Sequence, residues 1–316
     1  MIKRNPYNTK ETHERKSQLP PSSLEPRWCA MTVVLVTGAT GNVGSQVLRE
    51  LVAKGATVKA AVLEPIKDAA KIIAGVEPVR FNFGQEDTYA PAFAGVDAVF
   101  LLRPPQISDA THLINPAIDA AKAAGVRAMT FLSVQGAHSN PFVPHHAIEK
   151  HLEKSGLEYT FLRSAFFMQN LSGTHRDDIR LHDDLMVPAG SGRTAFVDVR
   201  DLAAVAALTL TESGHANTAY ELTSLEALTY DQVAAILTEV LGRKISYMHP
   251  NVVQFWSRMN ERHQPIGFVL VMTALYAVAA LGMAGHLTDD VQRLLGRDPI
   301  GFRQFATDYK AVWQKP

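Results

Sequence analysis

Val33-Val34-Leu35-Val36-Thr37-Gly38-Ala39-Thr40-Gly41-Asn42-Val43-Gly44 decides the architecture. An aliphatic, mostly β-branched run leads into three glycines spaced G-x-x-G-x-x-G. A buried strand needs such a run, and the glycines let the backbone turn sharply and approach a ligand closely. A helical stretch over 45–54 follows at once, and Gly55 separates it from a second strand over 57–62. A helix that starts at such a turn aims free N–H groups and its positive dipole end at an anion. Strand, glycine turn, helix and strand together are the context that a pyrophosphate-binding turn requires. Gly38, Thr40, Gly41, Asn42, Val43 and Gly44 are therefore assigned to a dinucleotide.

The alternation continues along the chain. Strands over 79–83, 96–102, 128–133 and 159–163 interleave with helices over 67–74, 88–94, 112–124 and 145–155. That rhythm predicts an α/β fold, a Rossmann-type doubly wound parallel sheet over 31–163. Beyond Arg163 it loosens. The pattern there predicts a helix over 171–181, strands over 194–199, 219–223 and 244–248, and helices over 202–211 (capped by Asp201) and 230–241. Residues 164–316 are read as a smaller, mostly helical substrate region, with the strands near 194–199 and 219–223 interwoven with the first domain. It would cover the strand C-termini, where ligands bind in open α/β sheets.

Of the 316 residues, 47% are hydrophobic and 20% charged, a globular profile with ample core. Lys+Arg and Asp+Glu number 31 each, which leaves no electrostatic footprint for nucleic acid or an anionic membrane. The single cysteine, Cys29, excludes an intramolecular disulfide framework and suits a reducing, cytoplasmic compartment. Residues 1–30 are polar and aperiodic, as a disordered extension before Met31 would be. Their acids Glu11, Glu14 and Glu25 argue against a transit peptide, and the missing apolar core argues against a secretory signal. The stretch 266–285 carries no charge. Gly267, Gly282 and Gly285 interrupt it and no basic cluster or aromatic belt flanks it, so a packed helix is expected there rather than a membrane span.

Several landmarks occur together: Gly38-Ala39-Thr40-Gly41-Asn42-Val43-Gly44, Ala94-Gly95-Val96-Asp97-Ala98-Val99-Phe100, Phe131-Leu132-Ser133 and His145-His146-Ala147-Ile148-Glu149-Lys150. Further on come Ser155-Gly156-Leu157, Leu162-Arg163 with Phe166-Phe167-Met168-Gln169-Asn170, Val197-Asp198-Val199-Arg200-Asp201 and Leu295-Gly296-Arg297. In these the chain resembles the NmrA-like group of atypical short-chain dehydrogenases/reductases, from Met31 to its end. The resemblance implies NAD(P)H on a Rossmann domain. It is compatible with two activities: NAD(P)H-dependent reductases of quinone, azo-dye and isoflavone type, and NAD(P)-sensing regulators that do not turn over.

Reductases of this superfamily use Tyr-x-x-x-Lys with a Ser; the Tyr protonates the substrate oxygen and the Lys binds the nicotinamide ribose. Lys150 matches that Lys, and His146 stands where the Tyr would be, on the same helix face. His146 then either donates a proton or walls the pocket. Ser133 ends the fifth strand, where its hydroxyl either serves the site or closes the strand. No histidine pair has a metal-ligand spacing, so no metal is expected.

The missing Tyr constrains the acceptor. Reducing an isolated carbonyl builds an alkoxide that needs a positioned acid, whereas a quinone or azo acceptor delocalises the charge and takes its proton from water. Phe142, Phe166, Phe167, Met168 and Asn170 are expected to line the pocket for such an aromatic ligand. For the cofactor, many relatives carry an Arg after strand two that grips the 2′-phosphate of NADP; Leu63 stands there. Lys67 supplies one charge nearby, while Glu64 is placed to bind the ribose hydroxyls of NAD. Asn82, Phe83, Leu102 and Arg103, at the ends of the next two strands, complete the expected cofactor edge. The balance leans to NAD(H). The expected function is hydride transfer to a conjugated small molecule, with a non-catalytic redox sensor acting on a protein partner as the alternative.

Overall fold

β1 (Val33–Val36) ends at Thr37, and α1 (Asn42–Ala53) begins directly after the glycine turn. Val43, Val47, Leu48 and Leu51 recur at helical spacing on α1 and are buried against the sheet. The computed structural model describes residues 32–315; the expected extension over 1–30 lies outside them. β2 (Thr57–Val62), α2 (Pro65–Asp68), β3 (Glu77–Arg80), α3 (Tyr89–Phe93) and β4 (Ala98–Leu101) follow. Next come α4 (Ala110–Leu113), α5 (Asn115–Ala123), β5 (Ala128–Val134), α6 (Pro144–Ser155), β6 (Glu158–Ser164), β7 (Phe166–Phe167) and α7 (Gln169–Ser172). β8 (Thr194–Val197), α8 (Val199–Thr211), β9 (Thr218–Leu222), β10 (Ala227–Leu228) and α9 (Tyr230–Leu241) lead to α10 (Val252–Glu261), α11 (Ile266–Ala280), α12 (Asp290–Leu295) and α13 (Phe302–Asp308).

The main sheet has seven strands in the order β3-β2-β1-β4-β5-β6-β9, and every pairing is parallel. The strand order reverses beside β1, which opens a crevice between the loops that follow β1 and β4. Alternate side chains serve opposite faces. Val34, Val36, Phe100, Leu132 and Leu162 pack toward α1 and α8, and Leu35, Val99, Leu101, Phe131 and Phe161 pack toward α3 to α6. α8 lies against α1 and against β4, β5 and β6, so it is buried nearly all round through Leu202, Val205, Ala206 and Leu210. Truncating Leu202 there would cost about 2–5 kcal/mol.

A second sheet, β10-β8-β7, and the later helices enclose a third core around Phe196, Tyr230, Tyr276, Phe305 and Trp313. This core carries charge. Fully buried Asp178 accepts from Arg258 at 2.7 Å and from Arg262 at 2.5 Å, and His175 Nε2 lies 2.5 Å from the Tyr276 hydroxyl.

The chain departs from its sequence pattern at three places. The helix expected over 171–181 is instead the short α7 and a π-turn at Asp178–His182. Gly173 leaves helical backbone (φ −112°, ψ −88°), and His175 and Asp178 turn into the core. Asp198, not Asp201, caps α8, accepting from the Arg200 amide at 2.8 Å. Asp201 lies inside the first turn, where it accepts from the Ile300 amide at 2.6 Å and pairs with Arg297 at 2.7 Å. The segment 244–248 forms no strand; Ser246 makes one isolated bridge to Asp184. The uncharged stretch from Ile266 is a 15-residue helix, and no helix among the described residues is long and apolar enough to cross a membrane.

Candidate functional site

The glycine turn is a cradle that side chains would fill. Gly38 has φ +63°, and a Cβ on it would meet Leu102 Cδ2 at 3.0 Å. A Cβ on Gly41 would lie 3.3 Å from the Gly38 carbonyl oxygen, and one on Gly44 would overlap that oxygen. No side chain caps α1, so its first-turn amides are left for an anion. Thr37 fixes the crevice floor: its hydroxyl accepts from the Leu102 amide at 2.7 Å and donates to the Phe100 carbonyl at 3.1 Å. The turn thereby fits a dinucleotide pyrophosphate.

At the β2 and β3 ends, Leu63 is 63% exposed, and exposed Glu64 and Lys67 form an ion pair with each other. Asn82 Oδ1 accepts from the Gly84 amide at 2.9 Å. Phe83 is a core residue. Its ring packs edge-on to Phe81 with centroids 4.8 Å apart, and its carbonyl accepts from the Tyr89 hydroxyl at 2.6 Å.

Around α6, Ser133 is fully buried and donates to Glu149 Oε1 at 2.6 Å. Arg163 donates to the same carboxylate, from Nε at 3.1 Å and from Nη2 at 2.8 Å. Ser133 is thereby part of a three-residue clamp between β5, β6 and α6. His146 Nδ1 lies 2.8 Å from the Ala137 carbonyl. A carbonyl only accepts, so Nδ1 is the donor in this contact. Lys150 is exposed, and its Nζ donates to Glu153 at 2.8 Å. His145 stacks on Phe131 at 5.9 Å. Burial, and then the nearby Arg103 guanidinium, lower its pKa to about 3, so the imidazole is neutral.

The expected aromatic wall is dispersed. Phe142 is 94% exposed, whereas Met168 is fully buried in the C-terminal core. β7 sends Phe166 and Phe167 to opposite sides, as strand alternation requires. Phe166 stacks on Tyr276 at 6.3 Å, and Phe167 packs on the core beneath α1 and α8. The Asn170 carbonyl accepts from the His175 amide at 3.0 Å.

The pattern had one unused signal. Glu149 falls on the buried stripe of α6 with Ile148 and Leu152, and a carboxylate on such a stripe needs a partner. His145 and Arg103 meet only through the fold. Among the described residues, no group of three or more His, Cys, Asp or Glu side chains could hold a metal.

The profile of the NmrA-like family matches residues 31–285. The chain belongs to the NmrA-like family. It is 32% identical over 287 residues to the NAD(P)H azoreductase of Xenophilus azovorans, covering 89% of this chain and 99% of that one. Quinone oxidoreductase 2 of Escherichia coli (strain K12) is 29% identical, over 83% of this chain and 92% of its own. Among solved NmrA-like relatives, the triphenylmethane reductase of Citrobacter sp., in complex with NADP(H), matches with a TM-score of 0.77 at 29% identity. That match covers 88% of this chain and 99% of the reductase.

Proposed function

We propose that this NmrA-like protein is an NAD(P)H-dependent oxidoreductase that transfers a hydride to a conjugated, quinone-like or azo acceptor. The observation that carries the reading is the glycine cradle, closed to a Cβ at Gly44 and tight at Gly38 and Gly41, at the uncapped start of α1 and tied to the β4 loop by Thr37. Relatives named as an azoreductase and a quinone oxidoreductase align over most of the chain and support the acceptor class. When bound, NAD(P)H supplies the hydride. Gly38, Gly41, Gly44 and the α1 amides hold its pyrophosphate, and Lys150, released from Glu153, reaches the nicotinamide ribose. His146 borders the acceptor with its ring fixed by Ala137, while water supplies the final proton. Residues 31–163 serve the cofactor and residues 164–316 cover the acceptor.

For the adenosine end, NAD(H) binds at least as tightly as NADP(H). Lys67 is engaged by Glu64 and Leu63 offers a 2′-phosphate no donor, which supports this order. Stopped-flow oxidation of bound NADH and NADPH by quinones and azo dyes tests the function. Oxidation faster than in free solution is expected with NADH and a naphthoquinone. Tight binding without any acceleration, for every acceptor, would overturn it.

A further inference from the structure

Arg103 is the first polar side chain beyond β4. Leu101 pairs in register with Phe131, and Leu102 packs toward Gly38 on the α1 face. Arg103 follows just outside the strand, and its guanidinium is near enough to His145, which stacks on Phe131, to act on that imidazole's charge. Arg103 Nη1 is pinned by three carbonyl oxygens, those of Pro104, Pro105 and Ile107. Its Nε is sealed from solvent and has no hydrogen-bond partner. Burial lowers the guanidinium pKa, and no acidic side chain offsets that effect. A half-buried guanidinium with a sealed, unpartnered Nε is commonly matched by a carboxylate or another anion. Its neighbour here is a neutral imidazole, which can donate a hydrogen bond but supplies no counter-charge.

We infer that Arg103, with His145 beside it, is a binding site for an anionic oxygen of the acceptor. The choice of ligand rests on the reductase reading. The cofactor pyrophosphate is the less suited anion, because the uncapped α1 amides already offer it donors. An acceptor meets the need in two ways. A carboxylated or ionised hydroxylated aromatic brings a negative oxygen with it. A neutral quinone acquires one: it gains a hydride as the C4–H bond of the dihydronicotinamide breaks, the nicotinamide is oxidised to the pyridinium, and the electron pair appears on the quinone oxygen. Water later protonates that oxygen. The guanidinium thus supplies the charge stabilisation that a Tyr would otherwise provide.

The test separates this site from the reaction. The full chain is titrated by calorimetry with 2-naphthoate and 2-naphthamide, which share a ring system, differ in charge and accept no hydride. Wild-type protein should bind the carboxylate at least tenfold tighter; Arg103→Gln should erase that difference, and Arg103→Lys, which keeps the charge, should retain part of it. Equal binding of the two ligands, or a preference that survives Arg103→Gln, overturns the site. So does displacement of naphthoate by inorganic pyrophosphate, which would give the guanidinium to the cofactor. Menadione turnover is followed separately. Turnover without a charge preference removes the anion site and leaves the reductase standing; a preference that depends on Arg103, without turnover, does the reverse.

Discussion

Ser133 Oγ donates to Glu149 Oε1 at 2.6 Å, in a space that Arg163 closes with two further bonds to the same carboxylate. The serine is therefore tied into the packing of α6 on the sheet. A hydrogen bond to a charged group is worth about 1.5–3 kcal/mol, so Ser133→Ala should lower stability by that amount. Glu149→Ala, which strands a half-buried arginine, should cost about 3–5 kcal/mol. Urea unfolding measures both. A loss of NADH oxidation in Ser133→Ala at unchanged stability would return the serine to the reaction.

Lys150 and Glu153 form an exposed pair, worth at most about 1 kcal/mol, so a ribose can displace the carboxylate. Glu153→Gln should tighten NADH binding by up to about fivefold, since 1.4 kcal/mol is a factor of ten. Lys150→Ala should weaken it about tenfold to a hundredfold through the lost charged contact. Calorimetry on both variants decides whether the lysine reaches the cofactor; unchanged affinity in each would leave it a surface residue.

Leu63 stands beside the Glu64–Lys67 pair at the end of β2. Leu63→Arg adds a donor for a 2′-phosphate, and Glu64→Gln frees Lys67 while removing a repulsive charge. Each should favour NADPH by about 1.5–3 kcal/mol, the worth of one charge-assisted contact. A hundredfold NADPH preference in the wild-type protein would refute the order proposed for the two cofactors.

His145 makes stability depend on acid. Unfolded histidine titrates near about 6.5, whereas burial, and then Arg103, hold His145 at about 3 in the fold. Between those values the unfolded chain binds the additional proton. The contribution of His145 is therefore complete above pH ~6.5 and is lost as pH falls toward the folded value, by at most about 1.4 kcal/mol per pH unit. His145→Asn should flatten the stability profile across that window. Superimposable profiles for the two proteins would contradict the neutral, half-buried imidazole.

The sheet was readable because its signals are local. Each apolar run, such as Val33–Val36, announces a strand, and the glycines announce a turn that a Cβ at Gly44 would block. β9 and α8 were found for the same reason. The crevice was legible only at its phosphate end. Phe166 and Phe167 read as one aromatic patch, yet a two-residue strand sends them to different cores. The cap on α8 slipped from Asp198 to Asp201, because acids at both positions satisfy the same pattern and only the fold decides which is buried against Arg297. Arg103 and His145 are far apart in sequence and come near each other only in the fold, which a single sequence does not encode locally.

β9 is made long after the strand it pairs with. Until Thr218–Leu222 has emerged from the ribosome, the outer edge of β6 offers bare N–H and C=O groups, and the aliphatic face of α1 waits for α8. Such an edge is a template for another chain. The nucleotide-binding part is thus completed only when more than two-thirds of the polypeptide exists. Chains truncated after residue 163 should accumulate as aggregates, and synthesis of the intact protein should draw on chaperones during that interval.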